Sequence, residues 1–381
     1  MRNEDHSRRL ESNGRAAAPV TEGSVALAGD HYENAGSGSL ELAPVSAIIP
    51  TKGRPEELRM TVRSMLEGVA LPSEVIIVDQ SADRASYDAV HEEFQKARDR
   101  QSLLPRLEYV HEPSIAGVSA ARNVGMSLAQ EAIWLFLDDD VIMEPDFIKE
   151  LMDAYSDPLS VDGVSGIITN YALMPITHRL WLWIFERGPF ADPRQPLYWN
   201  AKTADITGNI KVPFFTGALM SFRAEAVRNV RFDEGAGACH CEDTDVCLLL
   251  GKNARLVIAP RARLAHMISQ SAREKAHWIR MPTLSYAFLF RRHFSAKMSD
   301  RIQFYWLCAG LALMAGASSL RRFSLKPWRT FVASLRQGLN AGRAAVLAAD
   351  AHSAAAGKMN LSPGISRDDS VSAGGMNGRS A

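Results

Sequence analysis

Apolar residues in this chain cluster into short blocks: VSAII from Val45, EVIIVD from Glu74 to Asp79, RLEYVHE from Arg106 and IWLFL from Ile133. Blocks this short, with hardly a polar position inside them, predict strands buried on both faces. Between the blocks the spacing changes to the helical threes and fours, over Pro55 to Glu67 and over Ser119 to Gln130. The first of these helices is announced by a polar turn, TKGRPEEL, with proline at its first position. Alternating strand and helix predict an α/β domain on a parallel, doubly wound sheet. Ligands of such sheets gather beyond the carboxyl ends of the strands, where Thr51, Asp79, His111 and Asp138 fall.

After Gly166 the pattern becomes irregular, with an aromatic-rich THRLWLWIFERGPF. A strand-like PFFTGALMSFR, a helix opening at CEDTDVCLLL and a strand-like LVIAPRARLAH follow. From Ile302 to Leu320 no residue is charged, and Arg301 and Arg321-Arg322 bracket the stretch. It only just reaches the length of a membrane span, and its Ala, Gly, Ser and Gln favour a helix lying in the interface. A span and a buried soluble helix are the alternatives. Residues 1–43 and 351–381 are polar, without periodicity, and are expected to be a disordered leader and tail. That leaves a catalytic domain over 44–270 and a helical, basic and apolar extension over 271–350.

Composition refines this outline. The chain has 381 residues, 46% of them hydrophobic, enough for a full core. Its 43 basic and 43 acidic residues balance, so nothing points to nucleic acid as a partner. The local distribution is uneven: thirteen lysines and arginines lie between Arg273 and Arg343, against Glu274 and Asp300. That region suits an anionic membrane surface. Four cysteines, three of them crowded at Cys239, Cys241 and Cys247, make no disulfide framework and suit a reducing interior. The opening MRNEDHSRRL is charged, with no apolar export segment before Val45, so a cytoplasmic location is expected.

The candidate chemistry is acidic. Asp138 and Asp140 are two apart after an apolar strand, so their side chains leave one face and converge on a single ion, and hard oxygen ligands suit Mg²⁺ or Mn²⁺. An acidic cap on the helix near Glu144-Pro145-Asp146 is the plainer alternative. Glu242, Asp243 and Asp245 open another helix, either as a solvated helix start or with Asp243 as a general base. Asp79 is placed to accept from a nucleobase NH, or is a turn residue bonding its own backbone. Arg122, in GVSAARNVG at a helix start, is placed to meet phosphate oxygens. Cys239-His240-Cys241 lacks the spacing that wraps a zinc ion.

Together VSAIIPTKGRPEEL, VIIVDQSAD, GVSAARNVGM, WLFLDDDV and GALMSFRAEAV followed by CEDTDV resemble glycosyltransferase family 2, over about Val45 to His266. The resemblance implies a GT-A fold, a Rossmann-like doubly wound mixed sheet, and an inverting, metal-dependent transfer from a nucleotide-sugar donor. It implies donor recognition by Thr51, Arg54 and Asp79, substrate contacts at Arg122, Asp138, Gly217 and Glu242, and base catalysis by Asp243. The metal, Mg²⁺ or Mn²⁺, falls to Asp138 and Asp140, with His266 as a further ligand. The basic, apolar C-terminal region is similar to the tails of members that build bacterial envelope glycans. It implies a glycan or polyprenyl-linked acceptor at the inner face of the cell membrane. The Gln-x-x-Arg-Trp signature of processive synthases is absent. A sugar-phosphate nucleotidyltransferase and a catalytically silent nucleotide-sugar-binding or membrane scaffold protein are the competing expectations.

Overall fold

The computed structural model describes residues 40–156, 161–171, 174–194, 206, 208–234, 240–267 and 277–359. The leader expected over 1–43 lies outside these except for its last four residues, of which Glu41, Leu42 and Ala43 are already in the first strand. Cys239 is also outside them.

Strands β1 (Glu41–Thr51), β2 (Ala70–Asp79), β3 (Arg106–His111) and β4 (Ile133–Leu137) are parallel, in the order β3-β2-β1-β4. Helices α1 (Pro55–Leu66), α2 (Ala85–Arg100) and α3 (Val118–Leu128) connect them. Beyond β4 the sheet ceases to be parallel. Its next strand is β8 (Leu219–Arg223), antiparallel to β4, followed by β6 (Gly163–Ile168), β9 (Leu256–His266) and β5 (Val141–Met143). The short β7 (Ile210–Val212) pairs with β9. A purely parallel sheet, as alternation alone predicts, needs a crossover helix for every neighbour. Here β8 follows a long excursion from β6, so it enters from the opposite end, and the sheet is mixed.

The uninterrupted strand blocks have a direct cause. Val45, Ala47 and Ile49 of β1, Val75 and Ile77 of β2, and Ile133, Leu135 and Leu137 of β4 pack against α1, α2 and α4 (Phe147–Tyr155). The alternate residues Ile48, Ile76, Val78, Trp134 and Phe136 form a second core with α3, α6 (Ala224–Val227) and α7 (Glu242–Leu249). Both faces of the sheet are therefore dry, and each fully buried aliphatic side chain contributes about 1.5–3 kcal/mol. Gly125 lets α3 approach: a Cβ there would stand 2.3 Å from the Cγ2 of Ile48.

Helix α5 (Ile176–Phe185) follows β6. The C-terminal part consists of α8 (His277–Leu289), a π turn over Phe290–Phe294, α9 (Met298–Arg321) and α10 (Lys326–Met359). It has its own small core, in which Phe290 stacks on Phe304 with ring centroids 3.9 Å apart. The helix of α10 continues past Asp350, where the tail was expected to begin.

Candidate active site

Three parallel strands end at one rim, and each delivers a polar residue there: Thr51 from β1, Asp79 from β2 and the aspartate run just after β4. The run is a turn: β4 stops at Leu137, and Asp139 and Asp140 are turn residues. Asp138 and Asp140 converge because the chain reverses there, not through strand alternation.

Each aspartate has a different surrounding. Asp138 Oδ1 accepts from Arg122 Nη2 at 3.1 Å, and its Oδ2 lies 3.7 Å from His266 Nε2. Asp139 points inward, where Oδ2 accepts from the Thr51 hydroxyl at 2.8 Å and Oδ1 from Arg54 Nη1 at 2.9 Å. Thr61 fixes the turn, its hydroxyl donating to the Asp139 and Val141 carbonyls while Val141 N donates to it. Asp140 Oδ2 accepts from Arg54 Nη1 at 3.0 Å. Its buried Oδ1 pairs with His266 Nε2 at 2.9 Å, and the buried Nδ1 of His266 has no hydrogen-bond partner among the described residues.

The electrostatics follow from this packing. Burial raises the carboxyl of Asp139 to about 6, against the pull of Thr51 and Arg54. Burial also raises Asp138, against Arg122 and His266. At Asp140 burial pushes the same way, but His266 and Arg54 outweigh it and hold the carboxyl below its usual value. His266 is pushed down by burial and up by Asp140 and Asp138, and the carboxylates prevail. Donor atoms of Asp138, Asp140 and His266 all lie within 4.8 Å of one another. A buried carboxylate oxygen 2.9 Å from an imidazole nitrogen, with a second carboxylate beside them, is a donor set that fits a divalent cation. Among the described residues no other such cluster is present.

Arg122 separates this cluster from a second acidic group. It is 1% exposed, and its guanidinium donates to Asp138, to Glu242 Oε1 at 3.0 Å and to the Gly217 carbonyl at 2.8 Å. Both terminal nitrogens are thus engaged with protein groups. Gly217 in turn donates its N–H to Asp243 Oδ2 at 2.7 Å, and Thr244 N donates to Oδ1 at 2.6 Å. Burial and the neighbouring Glu242 raise Asp243 to about 6. A carboxylate of that strength is half ionised near pH 6, largely ionised at neutrality, and suits a general base.

Most of the site residues expected from the sequence come together here: Thr51, Arg54, Arg122, Asp138, Asp140, Gly217, Glu242, Asp243 and His266. Asp79 stands apart. Fully buried, it accepts from Ser81 N at 2.8 Å and from the Tyr109 hydroxyl at 2.7 Å. Two further groups belong to the site's support. Asp139 is one. The other is Asp245, whose buried Oδ1 lies 2.6 Å from His293 Nε2 and 3.0 Å from Arg292 Nε, while Arg292 also pairs with Asp233. This clamp ties α7 to the π turn of the C-terminal part. A signal existed in the sequence: Asp245 lies about 200° around the helix from Asp243, so the two cannot serve one site. His240, exposed, and Cys241, buried, gather no metal-ligand cluster among the described residues.

Comparison with known proteins gives concordant results. The chain is 27% identical over 128 residues to validoxylamine A glucosyltransferase of Streptomyces hygroscopicus subsp. limoneus, covering 33% of this chain and 27% of that one. It is 26% identical over 253 residues to the O-antigen biosynthesis protein RfbC of Myxococcus xanthus, covering 61% and 18% respectively. The chain thus spans under a third of the length of either relative. A solved mannosyltransferase from Pyrobaculum calidifontis, in complex with GDP-Man and Mn²⁺, superposes with a TM-score of 0.48 at 16% identity, covering 80% of this chain and 87% of that one. Residues 46–231 match the family model of Glycosyl transferase family 2, a range that holds the aspartate run and Arg122 but stops short of Asp243 and His266. With the aspartate turn inside the matched range and a named glucosyltransferase among the relatives, residues 46–231 are a glycosyltransferase family 2 domain.

Proposed function

We propose that this protein transfers a sugar from a nucleoside-diphosphate sugar to an acceptor hydroxyl, with inversion at the anomeric carbon. The observation that carries this reading is the pair of acidic groups flanking Arg122. One is a cation-fitting cluster and the other holds a carboxylate raised to about 6. Asp138, Asp140 and His266 would hold the divalent ion, which when bound neutralises the departing diphosphate. Two carboxylates with one imidazole suit Mn²⁺ better than Mg²⁺, which prefers an all-oxygen shell. Asp243 takes the acceptor hydroxyl's proton as its oxygen bonds to the anomeric carbon and the bond to the diphosphate breaks. Direct displacement by one oxygen inverts that carbon. Gly217 N–H holds the carboxylate in position, and Arg122 keeps Asp138 and Glu242 together without leaving uncompensated buried charge. Thr51 and Arg54 act on the donor side by shaping the aspartate turn through Asp139, with Asp79 below them at the end of β2.

The acceptor we favour is a polyprenyl-linked glycan at the inner face of the cell membrane, in envelope polysaccharide assembly. The uncharged outer face of α9 and the cationic extension support it. The test is a screen of UDP-, GDP- and dTDP-sugars with purified protein, with and without Mn²⁺ or Mg²⁺. Metal-dependent binding of one donor with slow release of its sugar to water is expected. A protein that binds no donor would refute the transferase reading, and metal-independent turnover would remove the cation from it.

A further inference from the structure

Large apolar side chains are exposed on this protein chiefly in one region. On α5, Ile176, Leu180 and Trp183 are 78%, 55% and 63% exposed, spaced four and three apart on one helical face. On α9, Ile302, Tyr305, Leu313 and Leu320 are 64%, 66%, 65% and 80% exposed, again on one face, with Ala309 and Ala317 filling the gaps. The opposite side of α9, with Phe304, Leu307, Leu311 and Ala315, is buried in the C-terminal core. A helix half buried in a water-soluble protein turns a polar face outward. Between Ile302 and Leu320 this one has no charge on any side.

The two stripes belong to one surface. Trp306 Nε1 donates to the Ile184 carbonyl at 2.9 Å, and the rings of Phe185 and Trp306 lie 5.4 Å apart. Gly310 brings the helices this close, since a Cβ there would stand 2.4 Å from Phe185 Cγ. The turn after α9 extends the surface: Phe323 is 98% exposed at φ 47°, Leu325 is 62% exposed, and the sequence there reads RRFSLKPWR. Arg321, Arg322, Lys326 and Arg329 thus alternate with apolar tips, and no acid lies between Arg301 and Arg343. At the end of α5, the Arg187 guanidinium sits 4.8 Å above the Trp183 ring.

Building on the membrane placement proposed above, we propose that α5 and α9 form a single two-helix surface that lies in the interface of an anionic bilayer without crossing it. Crossing would require α9 to release Phe304, Leu307 and Leu311 from its core and Trp306 from α5. Charge selects the occupant. Arginines interleaved with tryptophan, tyrosine and phenylalanine match lipid phosphates above an acyl region, and the surface offers a protein partner no acid to pair with. β6 leads into α5, and Asn170, at its end, exchanges hydrogen bonds with the backbone of His266.

The test is flotation of the full chain with vesicles of phosphatidylcholine alone or with phosphatidylglycerol, without donor or acceptor, so that it is read independently of catalysis. Flotation with the anionic vesicles, reversible by alkaline carbonate, is expected. Arg321→Gln with Arg322→Gln should weaken it about 30-fold, at roughly fivefold per lost cation near the surface. Trp183→Glu on α5 and Leu313→Glu on α9 should each weaken it at least tenfold, with melting temperature and donor hydrolysis unchanged. Binding that survives Trp183→Glu would remove α5 from the surface, and resistance to carbonate would make α9 a span. Flotation that ignores lipid charge, or a shift in solution mass between wild type and Leu313→Glu, would assign the face to something other than an anionic bilayer.

Discussion

Replacing Asp243 by asparagine should make the protein more stable while removing its activity. Burial and Glu242 raise this carboxyl from 3.8 to about 6, so keeping it ionised in the fold costs roughly 3 kcal/mol, at 1.36 kcal/mol per unit. Asparagine carries no charge and escapes that cost. It gives up one of two hydrogen bonds, because its single oxygen cannot accept from both Gly217 N and Thr244 N, and that loss is about 1 kcal/mol. The net gain at pH 7.5 is about 2 kcal/mol, or a melting temperature about 4 °C higher in a chain of this length. The sign depends on pH. A raised carboxyl pKa means that wild-type stability falls as pH rises from 3.8 through about 6. The variant's advantage should therefore be full above pH 6.5, shrink on acidification and reverse slightly near pH 4, where only the lost hydrogen bond remains. Turnover should fall by about 10² to 10⁴, with donor affinity unchanged, and wild-type turnover should rise with pH through about 6. Calorimetry from pH 4 to 7.5 and single-turnover kinetics measure both halves. A variant that melts with wild type at pH 7.5, or turns over within tenfold of it, would refute the assignment of Asp243 as a strained base.

Three other perturbations test the rest of the site. His266→Ala should weaken Mn²⁺ binding at least tenfold, read from free-ion electron paramagnetic resonance, while leaving the fold intact; unchanged affinity would take the imidazole out of the cation site. Arg122→Met leaves Asp138 and Glu242 uncompensated and should cost about 3–5 kcal/mol in a denaturant titration, more than Arg122→Lys; a loss below 1 kcal/mol would show that the guanidinium does not hold the two carboxylates. Asp245→Ala leaves Arg292 and His293 without their shared partner and should speed hydrogen exchange in both α7 and the π turn; an effect limited to one of them would mean that the clamp does not couple the two parts.

The parallel half of the sheet was legible because double-sided burial writes itself into the chain as unbroken apolar runs. The aspartate turn was legible because a charged triplet directly after such a run has no packing reason to be there. Other features depend on distant partners. Arg122 reads as an arginine facing phosphate oxygens, and nothing local announces Glu242, 120 residues on, which it also meets. Asp139 disappears between two metal-ligand candidates, although it is the one Thr51 and Arg54 hold. Asp245 pairs with His293 across 48 residues, and neither side carries a local sign of the other. The antiparallel β8 was hidden for a related reason: strand direction is set by where the chain returns, which the strand's own composition does not record. α5 reads only as aromatic richness, because its exposed stripe has meaning once α9 lies beside it.

Arg122 gives the site a further property. One guanidinium serves Asp138, in the cation cluster, and Glu242, beside the base, so the two acidic groups share a single compensating charge. A divalent ion drawing Asp138 toward itself would leave Arg122 more fully to Glu242. Both the ion's charge and the better-compensated Glu242 then favour the ionised form of Asp243. Asp243 would thus be more fully ionised when the donor's metal is in place than in the metal-free site, where its carboxyl is raised to about 6. An arrangement of this kind ties proton abstraction from the acceptor to occupancy of the donor side through one buried residue, without any movement of the backbone.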